Sequence, residues 1–348
     1  MSTYFGGKSK IADAVWERLG DVTNYVEPFF GSGAVLLGRP ESHTGHIETV
    51  NDKDGFVSNF WRAVQKAPEE TASYADWPVN ENDLHARHAW LVGQKDSLMA
   101  KLEGDPDYFD AKIAGWWVWG MSCWIGSGFC SGKGPWVVDE NHELVRLGKC
   151  EGVKRARVHL KGDQGVNRKL IHLKGKQGVN RKRVHLRSAG GGVGVHRPRV
   201  DLQEWFERLS GRLRYVRVCS GDWTRILGPS PTTQLGLTGV FLDPPYSQSE
   251  RDSSLYGVED SVSVAVRDWA VGHGNDKLFR IALCGYEGEH EMPPDWEVYS
   301  WKPNGGYGLQ GEGRGRENKG RERIWFSPYC LKHEQGNLFE ANTTAEGI

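Results

Sequence analysis

None of the six cysteines (Cys123, Cys130, Cys150, Cys219, Cys284, Cys330) stands at CxxC spacing from another. That excludes a disulfide framework and a zinc site from the expectations, so no metal is expected and a reducing cytoplasm is the expected setting. The first ten residues, MSTYFGGKSK, hold no apolar core, and no signal peptide is expected. One uncharged stretch, Ile113 to Cys130, approaches membrane-spanning length, but it is built from Gly, Ser and Trp rather than Leu and Ile. It reads as a buried helix and loop, and no membrane association is expected. What remains is a soluble globular composition, 38% hydrophobic and 26% charged, with 15 Trp and 45 Gly over 348 residues. The length suits one large α/β domain with an insertion, or two modest domains.

Acidic residues are nearly missing from one segment. Between Gly152 and Val200 there are fourteen Lys or Arg and a single acid, Asp163. The chain's net charge of −1 therefore divides into about +13 there and about −14 elsewhere. Segregation of this kind marks a surface for a polyanion. The segment is also a repeat. Gly152-Val-Lys-Arg-Ala-Arg-Val-His-Leu recurs thirteen residues on as Gly165-Val-Asn-Arg-Lys-Leu-Ile-His-Leu, and again as Gly178-Val-Asn-Arg-Lys-Arg-Val-His-Leu. A degenerate fourth copy starts at Gly194. Short alternating runs broken by Lys-Gly or Gly-Gln read as strand plus turn, and a disordered basic linker is the competing reading. As a nucleic-acid arm, it offers Arg155, Arg157, Arg168, Lys169, Arg181, Lys182, Arg183 and Arg197 to phosphates. His159, His172 and His185 recur without a carboxylate or cysteine beside them, which argues against a metal site.

Outside the repeat, strands alternate with helices. Strands are expected at Asn24–Pro28, Ile47–Asn51, Tyr215–Ser220, Val240–Leu242, Leu278–Cys284 and Arg323–Ser327. Helices are expected from Gly33, through Gly55–Ala67 and through Val262–Val271. Such alternation predicts an α/β fold with a doubly wound, mostly parallel sheet, in which ligands bind at the carboxyl ends of the strands.

Three motifs fall at such ends. Glu27-Pro28-Phe29-Phe30-Gly31-Ser32-Gly33 joins a strand to a helix, and its glycines let backbone approach a ligand closely; a tight turn without a ligand is the alternative. Asn51-Asp52 ends the next strand, where an acid can accept ribose hydroxyls or simply cap a helix. Asp243-Pro244-Pro245-Tyr246 follows an apolar strand. Two prolines stiffen that corner and remove its backbone donors. A carboxylate, a backbone carbonyl and a ring face can then hold a planar amine.

With Tyr4-Phe5-Gly6-Gly7-Lys8 ahead of them, FxGxG early and DPPY late resemble the Dam-type, alpha-order family of DNA adenine-N6 methyltransferases. The resemblance covers about residues 1–67 and 213–328. It implies a Rossmann-like methyltransferase sheet binding S-adenosylmethionine, with residues 68–212 an inserted helical and irregular target-recognition region carrying the basic repeat, and 329–348 a flexible tail. It further implies that Tyr4, Lys8, Asp52 and Asp243 line the cofactor pocket and that Phe29, Gly31 and Gly33 shape the adjoining loop. Asp222, in Ser220-Gly221-Asp222-Trp223, resembles the acid that meets the cofactor's adenine, with a turn-forming Gly-Asp as its equal competitor. Asp243, Pro244, Pro245 and Tyr246 become the catalytic corner. The base must leave the duplex to reach it, and Tyr246 is its stacking partner.

Trp116, Trp117, Trp119, Trp124 and Trp136 crowd around Gly126–Gly128; most are expected in the core, with one or two at a DNA-facing edge. Gly311–Arg323 interleaves arginines with acids, as a hairpin tip near phosphates or a solvated loop. Gln335-Gly336-Asn337-Leu338-Phe339 is similar to the peptide by which bacterial replication proteins dock on the sliding clamp, though a five-residue match also arises by chance. DNA is the expected partner and the chain is expected to be a monomer; an RNA substrate stays open. The alternatives are a cytosine-N4 methyltransferase, since the same chemistry serves any exocyclic amine, and an inactive DNA-binding module with this fold. The insertion and the lack of a fused nuclease lean toward a solitary or phage-borne enzyme rather than a restriction system.

Overall fold

The computed structural model describes residues 8–45, 47–124, 129–130, 136–138, 144–146, 201–245, 257–301 and 322–332. By internal contacts the chain divides into a unit of residues 1–146 and 201–348 and a second unit of residues 147–200. The second coincides with the basic repeat. It lies outside the described residues, and so do the arm positions from Arg155 to Arg197, together with Tyr4, Tyr246 and the clamp-like peptide.

The first unit is built on a seven-stranded sheet. In chain order its described elements are α1 (Ala12–Leu19), β1 (Asn24–Glu27), α2 (Ala34–Leu37), β2 (Ile47–Asp52), α3 (Gly55–Lys66), α4 (Pro68–Ala75), α5 (Glu81–Gly104) and α6 (Ala111–Cys123). A short antiparallel pair, β3 (Trp136–Val138) and β4 (Leu144–Arg146), comes next. Then follow α7 (Leu202–Leu213), β5 (Arg217–Ser220), β6 (Thr238–Leu242), α8 (Gly257–His273), β7 (Phe279–Tyr286), β8 (Glu297–Ser300) and β9 (Glu322–Phe326). The strand order is β5-β2-β1-β6-β7-β9-β8. Pairing is parallel from β5 through β7, and β9 runs antiparallel to both β7 and β8. This is the expected doubly wound, Rossmann-like sheet, mostly parallel, with one reversed strand near its edge.

Strand residues alternate between two apolar layers, as the two-residue strand period requires. Val26, Val240, Leu242, Ile281 and Leu283 pack with Val266 and Ala270 of α8. Tyr25, Phe241, Ala282 and Cys284 belong to the other layer, with Val15, Trp16 and Leu19 of α1 and Phe56, Phe60 and Trp61 of α3. The strands expected from the sequence all form, with ends moved by a residue or two. Edge strand β8 was not expected, because its side chains are largely exposed and supply no buried alternation.

The helices are set by their caps. Asp54, Asn80 and Asp110 accept backbone N–H groups at the starts of α3, α5 and α6, and Pro68 opens α4 with Glu69 and Glu70 in its first turn. The fourth repeat copy reaches the described residues only at its end, Asp201 and Leu202. Asp201 stands where the other copies have histidine, and it accepts N–H groups from Gln203 and Glu204, so Leu202 opens α7. Arg212 of α7 then forks onto buried Glu48 of β2, at 2.7 and 2.8 Å, while Arg39 reaches the same carboxylate at 3.1 Å. Edge strand β5 is guarded by two arginines: Arg62 Nε donates to the Val218 carbonyl and Arg225 to that of Ser220.

The middle tryptophans are mostly core. Trp117 and Trp119 are buried, and Trp116 is partly so. Buried Arg87 of α5 lies against the rings of Trp77, Trp116 and Trp119 at 4.4 to 5.0 Å. Trp136 lies in β3, and Trp77 is the described tryptophan of this region that is half exposed. Among the described residues no helix is long and apolar enough to cross a membrane.

Candidate active site

β1 leads away to β2 and β5 on one side, and β6 leads to β7 on the other, so the sheet's order reverses between β1 and β6. A crevice opens at the carboxyl ends of strands on either side of such a reversal. Here the loop after β1 and the corner after β6 line one cleft of about 250 Å³. Its walls are Lys8, Glu27, Phe29 to Ser32, Ala34, Val35, Phe241 and Asp243. Four of the expected residues, Lys8, Phe29, Gly31 and Asp243, thus converge.

The loop after β1 is held from several directions. Gly31 and Gly33 take φ of +45° and +63°, which side chains with a Cβ rarely adopt. A Cβ on Gly33 would lie 2.7 Å from the Phe30 ring, whereas one on Gly31 would meet nothing within 4 Å. The Phe30 N–H donates to the Asn51 carbonyl at 2.9 Å, and Asn51 Nδ2 donates to the carbonyls of Pro28 and Gly221. Trp61 Nε1 donates to the Gly31 carbonyl at 2.9 Å, and Phe29 stacks on Trp223 at 6.2 Å. Gly33 itself is the N-cap of α2 and shapes the loop from behind.

Asp52 does not line the cleft; it braces it. Its Oδ2 accepts the Gly31 N–H at 2.9 Å and its Oδ1 the Asp54 N–H at 2.8 Å. Burial pushes its carboxyl up to about 6, against the lowering effect of those N–H donors. Asp222 is an exposed cap: Oδ1 accepts both the backbone N–H of Thr224, at 3.0 Å, and its hydroxyl, at 2.6 Å. These bonds hold its carboxyl below the ordinary range. The turn-forming reading of Gly221-Asp222 describes this geometry, and Asp222 lies outside the cleft lining.

At the corner after β6, Asp243 sits partly exposed, Pro244 is buried and Pro245 is exposed. Lys8 Nζ lies 3.1 Å from Asp243 Oδ1 and 3.5 Å from Glu322 Oε2, with the Trp301 ring 5.4 Å away. Burial works to lower the Lys8 ammonium, but Asp243 and Glu322 among its neighbours raise it above its ordinary value. Behind the corner, Glu27 is fully buried and accepts the Tyr25 hydroxyl at 2.9 Å. Burial raises its carboxyl well above the usual range, which favours the neutral acid.

Sequence reasoning left Glu27, Trp61, Trp223, Trp301 and Glu322 without roles. An acid ending an otherwise buried strand was a usable signal for Glu27. Nothing local marks Glu322, which meets Lys8 across more than three hundred residues of chain. Among the described residues no cluster of His, Cys, Asp or Glu could hold a metal ion.

Residues 4–88 match the family model described as D12 class N6 adenine-specific DNA methyltransferase. The match takes in Lys8, the loop after β1 and Asp52, and it ends before β6 and Asp243. Comparison with curated proteins finds no match.

Proposed function

We propose, from its likeness over residues 4–88 to the D12 class of N6 adenine-specific DNA methyltransferases, that the chain acts as such an enzyme, taking its methyl group from S-adenosylmethionine and delivering it to an adenine turned out of the duplex. The observation carrying this reading is the meeting of the glycine loop and Asp243 across one cleft at the sheet's reversal.

The cleft's residues fit that donor. Open space beside Gly31 gives backbone a close approach and the Phe29–Trp223 stack adds an apolar wall, while Asp52, outside the cleft lining at the end of β2, has acceptor capacity left over for ribose hydroxyls. Asp243 suits a cationic centre. When bound, S-adenosylmethionine supplies an electrophilic methyl carbon.

The chain's own contribution is orientation and charge. The adenine amine is a poor nucleophile because its lone pair is delocalised into the ring. In this reading Asp243 and the Pro244 carbonyl accept its two hydrogens, which turns electron density toward the methyl. Lys8 pairs with Asp243 at 3.1 Å; a carboxylate has room for about four hydrogen bonds, so Lys8 and the amine can share it. The rate then derives from proximity and preorganised charge, with no covalent intermediate on the protein. Tyr246 remains the proposed stacking partner, and residues 68–212 the proposed target-recognition region. Incubating the full chain with unmethylated plasmid and methyl-tritiated donor should leave label in the DNA. Unlabelled DNA, from protein that binds the donor, would remove the reading.

Asp52 makes a pH prediction. Ribose hydroxyls prefer its ionised form, so affinity is present above a pH of about 6 and falls as the pH drops through it. Titrating S-adenosylhomocysteine by calorimetry from pH 8 to 5 should show that break, and Asp52→Asn should lack it. A wild-type curve flat to pH 5 would take Asp52 out of the binding site.

The basic repeat carries the proposed phosphate contacts, and it implies relaxed specificity. Deleting residues 152–192 should flatten the salt dependence of DNA binding and leave donor affinity alone. An unchanged salt slope would remove the arm from the interface. A single strict palindrome on a mapped plasmid would contradict relaxed specificity.

A further inference from the structure

A lysine lining a pocket meant for a sulfonium is an electrostatic liability. Lys8 lines the cleft and carries a full positive charge, which by itself would repel a cationic donor. Asp243 at 3.1 Å cancels that charge, leaving a neutral pair. Among the described residues, Glu27, Cys284 and Glu322 are further ionisable neighbours of this pair. Glu27 is buried where the neutral acid is favoured, and Cys284 is fully buried with its thiol pushed far up by burial. Glu322, 3.5 Å from Lys8 on its other side, supplies the second carboxylate. Burial nudges that carboxyl upward and Lys8 opposes the shift.

Resting on the donor reading above, we propose that Glu322 makes the cleft prefer the positively charged donor over its neutral, demethylated product. Lys8, Asp243 and Glu322 together carry −1, so a charge of +1 in the cleft is attracted and a neutral thioether is not. Product then leaves without competing strongly with fresh donor. The Glu322 side chain is not needed for the sheet: β9 pairs with β7 and β8 through backbone, with Glu322 opposite Tyr286. Its neighbour Arg323 has its own partner, Glu287, at 2.8 Å. Trp301, the last described residue before the chain returns at Glu322, lays its ring against the same ammonium, so Lys8 is fixed between both flanks and Asp243.

Coulomb's law sets the scale: a unit charge at a separation of roughly 8 Å, in an effective dielectric of about 20 to 40, changes affinity for a cation by about 5- to 30-fold. Calorimetry on the full chain at pH 8 tests this, with S-adenosylmethionine and S-adenosylhomocysteine each titrated into wild type and Glu322→Gln. The variant should bind the donor about 5- to 30-fold more weakly and the product within about twofold of wild type. Retained product binding also reports that the variant is folded. Glu322→Asp should recover part of the donor preference. A donor-to-product ratio unchanged in Glu322→Gln, including equal losses of both, overturns the inference while leaving the donor reading standing. A wild-type chain that takes neither compound overturns that reading, and the inference with it.

Discussion

Asp243→Ala is expected to lower methyl incorporation into DNA by at least about 1,000-fold in kcat, with a further loss of donor affinity because Lys8 is no longer neutralised in the cleft. Alanine removes the carboxylate that accepts the target amine's hydrogen and leaves Lys8 facing the cleft with Glu322 3.5 Å away. Pro244 is buried and keeps the corner's backbone in place, so the loss falls on the reacting group rather than on the fold. Asp243→Asn sharpens the test. Its amide oxygen still accepts a hydrogen bond but carries no charge, and about a 100-fold loss is expected. Single-turnover assays with saturating donor separate the two contributions. If Asp243→Ala kept a tenth of the wild-type rate, the carboxylate would not be catalytic.

Gly33→Ala is expected to destabilise the protein by roughly 2 to 4 kcal/mol, combining a left-handed backbone penalty with overpacking against an aromatic ring. The backbone there is at φ +63°, and the new methyl would press on the Phe30 ring at 2.7 Å with Trp61 close behind. Gly31→Ala provides the contrast. Its φ of +45° costs about 1 to 2 kcal/mol, but the methyl enters open space on the cleft wall. Gly33→Ala should therefore show the larger fall in thermal midpoint, and Gly31→Ala the larger fall in donor affinity relative to its stability. Both are read by thermal melts with and without S-adenosylhomocysteine. Equal stability losses at the two positions would contradict the packing described for the loop.

The motifs carried their positions reliably because each is tied to a strand end. β1, β2 and β6 are short buried runs, and a buried run followed by Gly-rich or Pro-rich sequence stops where the pattern stops. What the residues could not reveal is which groups meet across the chain. Asp52 reads as a ligand group, and in the fold one of its oxygens accepts from the glycine loop and the other from Asp54 in its own turn. Asp222 fits a binding acid and a cap equally in sequence, and Thr224 two residues on made the cap available. Glu322 sits in a run of alternating charges that looks solvated, and its role depends on a strand reversal that brings it to Lys8. At the end of the fourth repeat copy one residue, Asp201, caps the start of a helix that the repeat pattern alone does not announce.

Identifying the methylated base tests the central claim most directly. DNA methylated by the full chain, digested to nucleosides and separated against standards, should contain N6-methyldeoxyadenosine, with none formed by Asp243→Ala. Label found in N4-methyldeoxycytidine, or equal label from wild type and variant, would contradict the account.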